Sequence, residues 1–286
     1  MRQYIRQLRL FLGNDNESIE INSLRVDFEI IKTQTSEPNP SIIRVYNLSR
    51  DNQAKSTAKM FKKVVLAVGY EDVRVIYGGD IIESKTVRDD LDTIIEMECG
   101  DGFVDYSSAY VAVTLKAGAT DSDIVKELTK TMPNTDVGTI DLPNVRKLPR
   151  GRVLVGNTRE ILDKIAVNNN ANWSIQDGTL HIVPKGKVLA DNEGFVLSQD
   201  TGLIGFPEKT NEGLQVNCLL NPALKIGGLV RVESILPQFN GDFKITELKH
   251  VGDNMTEDWR SEIICVGGEF QKIEKADKGK ANAAEK

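Results

Sequence analysis

Apolar residues recur at every second position through most of the first hundred residues: Leu8, Leu10 and Leu12, then Leu24, Val26, Phe28 and Ile30, then Ile43 and Val45, then Ile95, Met97 and Cys99. Period two marks strands with one buried face, which are antiparallel as a rule. Between the first two runs, GNDNES (13–18) reads as a hairpin loop, and its acids lack calcium-loop spacing. KVVLAVGY (63–70) and RVIYGGDIIES (74–84) add two strands, with Gly78-Gly79 read as a bulge or bend. In PNPSIIRVYNLSRDNQAK (38–55) a strand carrying Ile43 and Val45 runs into a turn at residues 47–49. A polar helix follows from about Arg50, with Ser49 as its cap.

From about residue 105 the period changes. Thr120 with Asp123 predicts a helix N-terminus, and Ile124 and Leu128 share one face of a helix over 121–131. A Pro- and Asn-rich loop follows. Asn157 with Glu160 has the spacing of a capping box, ahead of a buried stripe of Ile161, Leu162, Ile165 and Ala166. In NWSIQDGTLHIV, Asp177-Gly178 is a two-residue hairpin turn. Counting outward pairs Ile175 with Leu180 and Trp173 with Ile182 on one face, closed against the helix carrying Ile161 and Ile165. After residue 195 the strands resume as GLQVNCLL, GGLVRVESI, DFKITELKHV and RSEIICVGG, punctuated by Gly227-Gly228 and Asn240-Gly241. The tail KIEKADKGKANAAEK is almost free of apolar residues and is expected to be disordered.

The chain has 286 residues and is 40% hydrophobic, enough for two compact domains or one large β domain. Its 36 basic and 42 acidic residues leave a net charge of -6, which argues against a general attraction to nucleic acid or anionic membrane. Cys99, Cys218 and Cys265 lack knuckle or redox spacing. Cys99 and Cys265 continue apolar alternations, so they read as reduced core thiols in a reducing compartment. Arg6 and Arg9 interrupt the apolar N-terminus, and the longest clean apolar run, residues 64–68, is far too short to span a bilayer. A soluble chain is expected.

Little chemistry is on offer. Hairpin counting sets His181 opposite Ser174, the pair a hydrolase would need. A nucleophile also requires an orienting third group and an oxyanion site, and no nucleophile elbow is present. The ordinary reading is a cross-strand polar pair. His250, near a strand end, reads as structural. Asp89, Asp90 and Asp92 could touch a cation, although a charged turn between two strands explains them. There is no phosphate loop, no dinucleotide turn and no spaced His/Cys cluster. No catalytic, cofactor-binding or metal residue is assigned.

The order of segments carries more than any one of them. PNPSIIRVYNLS, VVLAVGYED, VIYGGDI, ECGDGF, LPRGRVLVGNTREILDKIA, NWSIQDGTLHIV, TGLIGFPEKTNEGLQVNCLLNPALKIGGLVRV and FNGDFKITELKHVGDNMTEDWRSEI together resemble phage baseplate hub proteins of contractile tails, over roughly residues 5–268. The resemblance implies a mainly β fold with an α+β insert: a tail-tube-like antiparallel barrel domain over 1–104, a small α/β region over 105–195, second-barrel strands over 196–268, and a tail over 269–286. It implies a homotrimer, six barrels around a channel that passes DNA without specific binding, and an acidic or neutral lumen. Expected partners are the hexameric tail tube, the trimeric central spike and other baseplate proteins, in a virion tail made in the host cytoplasm without membrane insertion. The length leaves no room for the hydrolase segment some hubs carry. The alternatives are a tail-tip cell-wall hydrolase using Ser174 and His181 or the three acids, and a single-stranded nucleic-acid module, which 6% aromatic content disfavours. The apolar residues 203–206 are either core or interface.

Overall fold

The alternating runs become strands of one sheet. The computed structural model describes residues 5–35, 38–189 and 194–272. The first part comprises β1 (Gln7–Gly13), β2 (Ser18–Ile21), β3 (Val26–Thr33), β4 (Pro40–Tyr46), α1 (Arg50–Thr57), β5 (Lys63–Gly69), β6 (Val73–Asp89) and β7 (Asp92–Gly100). A middle part holds α2 (Phe103–Ser108), β8 (Tyr110–Leu115), α3 (Asp121–Thr129), β9 (Asp136–Ile140), β10 (Arg152–Asn157), α4 (Thr158–Asn168), β11 (Ala171–Gln176) and β12 (Thr179–Pro184). The last part holds β13 (Lys187–Val188), β14 (Phe195–Leu197), β15 (Leu203–Lys209), β16 (Leu214–Leu219), β17 (Leu229–Val232), β18 (Gly241–Asp253), β19 (Trp259–Gly267) and β20 (Gln271–Lys272). The protein is mainly β and largely antiparallel.

Among the described residues one sheet runs β15-β16-β19-β18-β3-β4-β7-β6-β5-β1-β2, with β17 beside β18 and β14 beside β17. Among the described residues no closed barrel is found, which corrects the expectation of two barrels. Closing the first would take the outer edge of β3, and β18 occupies that edge instead, pairing residues 247–253 with 27–33. The two ends of the chain thus share a sheet. The same strand order occurs twice: β3-β4-β7-β6-β5 in the first part is matched by β15-β16-β19-β18-β17 in the last. Beyond that order the two differ, since β1 is antiparallel to β5 and continues into β2, whereas β14 is parallel to β17.

Three cores follow. One buries Leu10, Phe28, Ile43 and Met97 with Leu220 and Trp259 from the far end of the chain. The second packs Ile124, Leu128, Leu162 and Ile165 against Trp173, Ile175, Leu180 and Ile182. The third buries Val216, Val230, Ile263 and Cys265.

Local signals read from sequence meet mixed fates. Ser49 caps α1 by accepting from Asn52 N, and Thr120 and Asp123 close a full capping box. Asn157 caps α4 through Arg159 N, so its spacing to Glu160 did not mark a reciprocal box. Gly78-Gly79 stays in register; the irregularities lie at Ile76, opposite β5, and at Ile82, opposite β7. The GNDNES loop leads into β2, a short strand the alternation did not reveal, and Asn14 Oδ1 braces the turn by accepting from Asn16 N and Glu17 N. The Pro/Asn loop contains β9, which pairs in parallel with β12. Of the tail, Gln271–Lys272 pairs in parallel with Lys187–Val188; residues 273–286 lie outside the described residues.

Candidate assembly surface

The strand-to-helix junction is built from hydrogen bonds between neutral and acidic side chains. Asn47 takes a left-handed backbone (φ 54°), as Asn does readily. Its Nδ2 donates to Asp92 Oδ1 at 2.7 Å while its Oδ1 accepts from Thr93 N at 3.1 Å. Asp92 is therefore a bracket for the junction. Asp89 pairs with Asp92 across the β6–β7 turn and Asp90 sits at φ 50°. The three acids form a charged turn. Helix α1 has little apolar character, and it meets β6 through Ser56 Oγ to Ser84 Oγ at 2.9 Å and Thr57 to Thr86 at 3.2 Å.

The middle part docks on the sheet through its hairpin turn. Lys32 Nζ contacts both Asp177 carboxylate oxygens at 2.6 and 2.7 Å, and Asp101 accepts from the backbone N–H groups of Asp177 and Gly178. Corresponding positions of the two strand repeats hold its two ends. Asp80 accepts from Val104 N at 3.3 Å, and the buried Lys244 donates to Pro184 O and Lys185 O at 3.3 and 3.4 Å. Burial lowers the Lys244 pKa to about 8.

Ser174 and His181 do face each other across β11 and β12. His181 Nδ1, however, accepts from Thr139 N on β9 at 3.1 Å, which turns the ring to a structural use. The cleft they share with Gln34 and Gly227 holds about 20 Å³, room for one water and far from room for a glycan or peptide. A larger cleft of about 470 Å³ opens between Tyr70 and Arg74 on one side and Leu197, Asp200 and Asn221 on the other. Its lining carries the carboxylates of Glu71, Asp72 and Asp200 and the Thr201 hydroxyl, which donates to Val196 O at 2.6 Å and accepts from Ser198 N at 2.8 Å. The Tyr70 hydroxyl is buried without a hydrogen-bond partner, and burial raises its pKa to about 12. Among the described residues, no group of three His, Cys, Asp or Glu converges as metal ligands, and no helix is long and apolar enough to cross a membrane. All three cysteines are buried and unpaired.

Two buried titrations at the centre of the fold oppose each other. Burial pushes the Asp101 carboxyl up to about 7, helped by the Asp177 charge, against the two N–H bonds it accepts. Burial pushes His250 down to about 3, with the Lys32 charge adding to it, while its Nδ1 shares a 2.8 Å hydrogen bond with Ser261. An acid whose folded pKa is raised stabilises the fold at low pH, and that contribution is lost as pH climbs from about 4 to 7. A histidine whose folded pKa is depressed does the reverse: its neutral form costs nothing above the ordinary pKa of 6.5, and stability falls as pH drops from there towards 3. Single variants separate the two. In urea titrations across this range, the stability difference between wild type and Asp101→Asn should fall with rising pH, and that between wild type and His250→Gln should rise. Two flat differences would contradict the burial assigned to both groups.

The surface features that sequence reasoning did not single out are two open strand edges. Residues 203–206 are not one unit: Leu203 enters the third core, whereas Ile204 and Phe206 are 41% and 57% exposed on β15, a terminal strand of the sheet. The outer half of β6, residues 85–89, is exposed throughout and pairs on one side only, with β7. A signal for this was present in the sequence. Ile81, Glu83 and Lys85 recur as Ile245, Glu247 and Lys249, and Glu96, Cys99 and Gly102 recur as Glu262, Cys265 and Gly268.

A family model described as baseplate hub gp41 matches residues 13–259. No curated protein matches the chain. Among solved structures, the 43 kDa tail protein of prophage MuSo2 from Shewanella oneidensis superposes with a TM-score of 0.66 at 11% identity, covering 91% of this chain and 96% of that one. A tail protein from Neisseria meningitidis MC58 gives 0.63 at 12% identity, with 92% and 96% covered. The c3393 protein of E. coli, a type VI secretion component described as similar in structure to the T4 tail proteins gp27 and gp5, gives 0.54 at 11% identity, with 86% and 74% covered. At such identities the likeness is one of fold.

Proposed function

The chain belongs to the baseplate hub gp41 family, and on that premise we propose that it is a structural, non-catalytic hub of a phage tail baseplate. It acts as a homotrimeric adaptor that joins a six-fold tail tube to a three-fold central spike and lines the channel through which DNA passes. It contacts further baseplate proteins and resides in the virion tail after synthesis in the host cytoplasm.

The observation that carries this reading is the internal repeat. One chain holds the same five-strand order twice, so three chains present six such units, the number a six-fold tube requires. Residues 1–104 and 196–268 are taken as two tube-like units flanking residues 105–195. The side chains that would face DNA should be acidic or neutral, because a basic lumen would hold phosphates through counterion release.

The test is the copy number of this chain in isolated baseplates, by quantitative mass spectrometry against the tube protein. Three copies per six-subunit tube ring are expected. Six copies, or one, would overturn the adaptor reading.

A further inference from the structure

The seam inside the chain has an unfilled counterpart at its surface. Strand β18 has two halves with different neighbours: its start, residues 241–244, pairs with β17, and its end, residues 247–253, pairs with β3. Strand β6 is its repeat equivalent and is divided the same way. Its start pairs with β5 through residues 73–80, after which a bulge intervenes. The bulges coincide. Against β7, Ile81 faces Cys99 and Glu83 faces Glu98; against β19, Ile245 faces Cys265 and Glu247 faces Ile264. Residues 83–89 of β6 therefore correspond to 247–253 of β18.

In β18 that stretch is covered by β3. In β6 the equivalent stretch has an open edge, and β15, the repeat equivalent of β3, is itself a terminal strand of the sheet, paired on one side only, with β16. An unpaired edge beside a sheet is a template for another strand. Both edges also expose apolar side chains: Val87 at 37% on β6, and Ile204 and Phe206 on β15.

We infer that the occupant of each edge is a second copy of this chain: β15 of one protomer adds antiparallel to the outer half of β6 in the next, reproducing between chains the β3–β18 seam found within one. This rests on the trimeric reading above and supplies its contact. The pairing is head to tail, so it generates a ring when the rotation closes. In a closed ring of three, intramolecular and intermolecular seams alternate and no edge of this kind remains. Pro207 removes one donor from β15, and the other residues of that seven-residue strand keep theirs. A proline on an edge also guards the free chain against indiscriminate pairing.

The experiment uses the full chain and two single-cysteine additions, Val87→Cys and Phe206→Cys, treated with a short bismaleimide. The native thiols contribute little background, because burial raises the pKa of Cys99, Cys218 and Cys265 to about 12. An equimolar mixture of the two variants should yield a covalent dimer that neither gives alone, and the double variant should yield a ladder ending at the trimer. Light scattering on the same samples gives the mass without cross-linking. Phe206→Asp should weaken self-association about tenfold or more, as loss of a central apolar contact does. An oligomer without the cross-link between positions 87 and 206 overturns the edge assignment and leaves the trimer intact. A chain that stays monomeric at high concentration and gives no cross-link overturns both.

Discussion

Trp173→Ala should unfold the middle part first and at the largest cost of any single truncation there. The indole is 3% exposed, stacks on Tyr106 with ring centroids 5.3 Å apart, and donates from Nε1 to Asp163 Oδ1 at 2.7 Å. It thus ties β11 to α2 and to α4, while its neighbour Ile175 closes a further link by donating its N–H to the Tyr106 hydroxyl at 3.4 Å. Truncating a buried Trp costs about 3 to 5 kcal/mol. For a chain of this size that corresponds to a drop in Tm of roughly 6 to 20 °C in scanning calorimetry. Trp173→Phe keeps the stacking and loses the hydrogen bond. Asp163 is only partly buried, so water can replace the donor and the cost should be about 1 kcal/mol. Equal, small effects of both variants would mean that the hairpin face is not the core of this region.

Gly252→Leu should open the β3–β18 seam. Gly252 lies between Phe28 on β3 and Trp259 on β19, whose rings meet edge to face at 5.7 Å and 75°. A Cβ built at residue 252 falls 2.4 Å from Phe28 Cζ and 2.9 Å from Trp259 Cε3. Both rings are buried, so neither can swing aside without displacing the core around it. Overpacking of this kind costs about 1 to 3 kcal/mol, and a branched side chain belongs at the upper end. Hydrogen exchange locates the damage: protection should fall in residues 27–33 and 247–253 before it falls in the middle part. Gly78→Ala is the control, since nothing lies within 4 Å of its built Cβ. Uniform loss of protection across all three cores would show that the seam is not a separate weak point.

Much of the middle part was legible because its signals are local. The two-residue turn at Asp177-Gly178 fixes the register of β11 and β12, so the sequence itself places Trp173, Ile175, Leu180 and Ile182 on one face. Ser49 and Thr120 were readable as caps because an N-cap acts over three residues. The cross-strand pairing of Ser174 with His181 was also legible from the hairpin count, whereas the bond that His181 Nδ1 accepts from Thr139 N on β9 was not. What stayed hidden is long-range. Nothing near residues 27–33 announces that residues 247–253 lie beside them, because strand pairing across some 220 residues depends on which edges remain after every local hairpin has formed. The two expected barrels failed for that reason: alternation specifies which face of a strand is buried and says nothing about which edge it offers. The apolar pattern could not distinguish Leu203 in a core from Phe206 on a surface, since both read as hydrophobic at the start of one strand. The sequence alone determined strand faces, caps and one hairpin register, each decided within a few residues. The tertiary structure alone decided how the repeats join and which edges stay open, because unpaired hydrogen-bonding groups become a property of an edge only once the whole sheet is assembled.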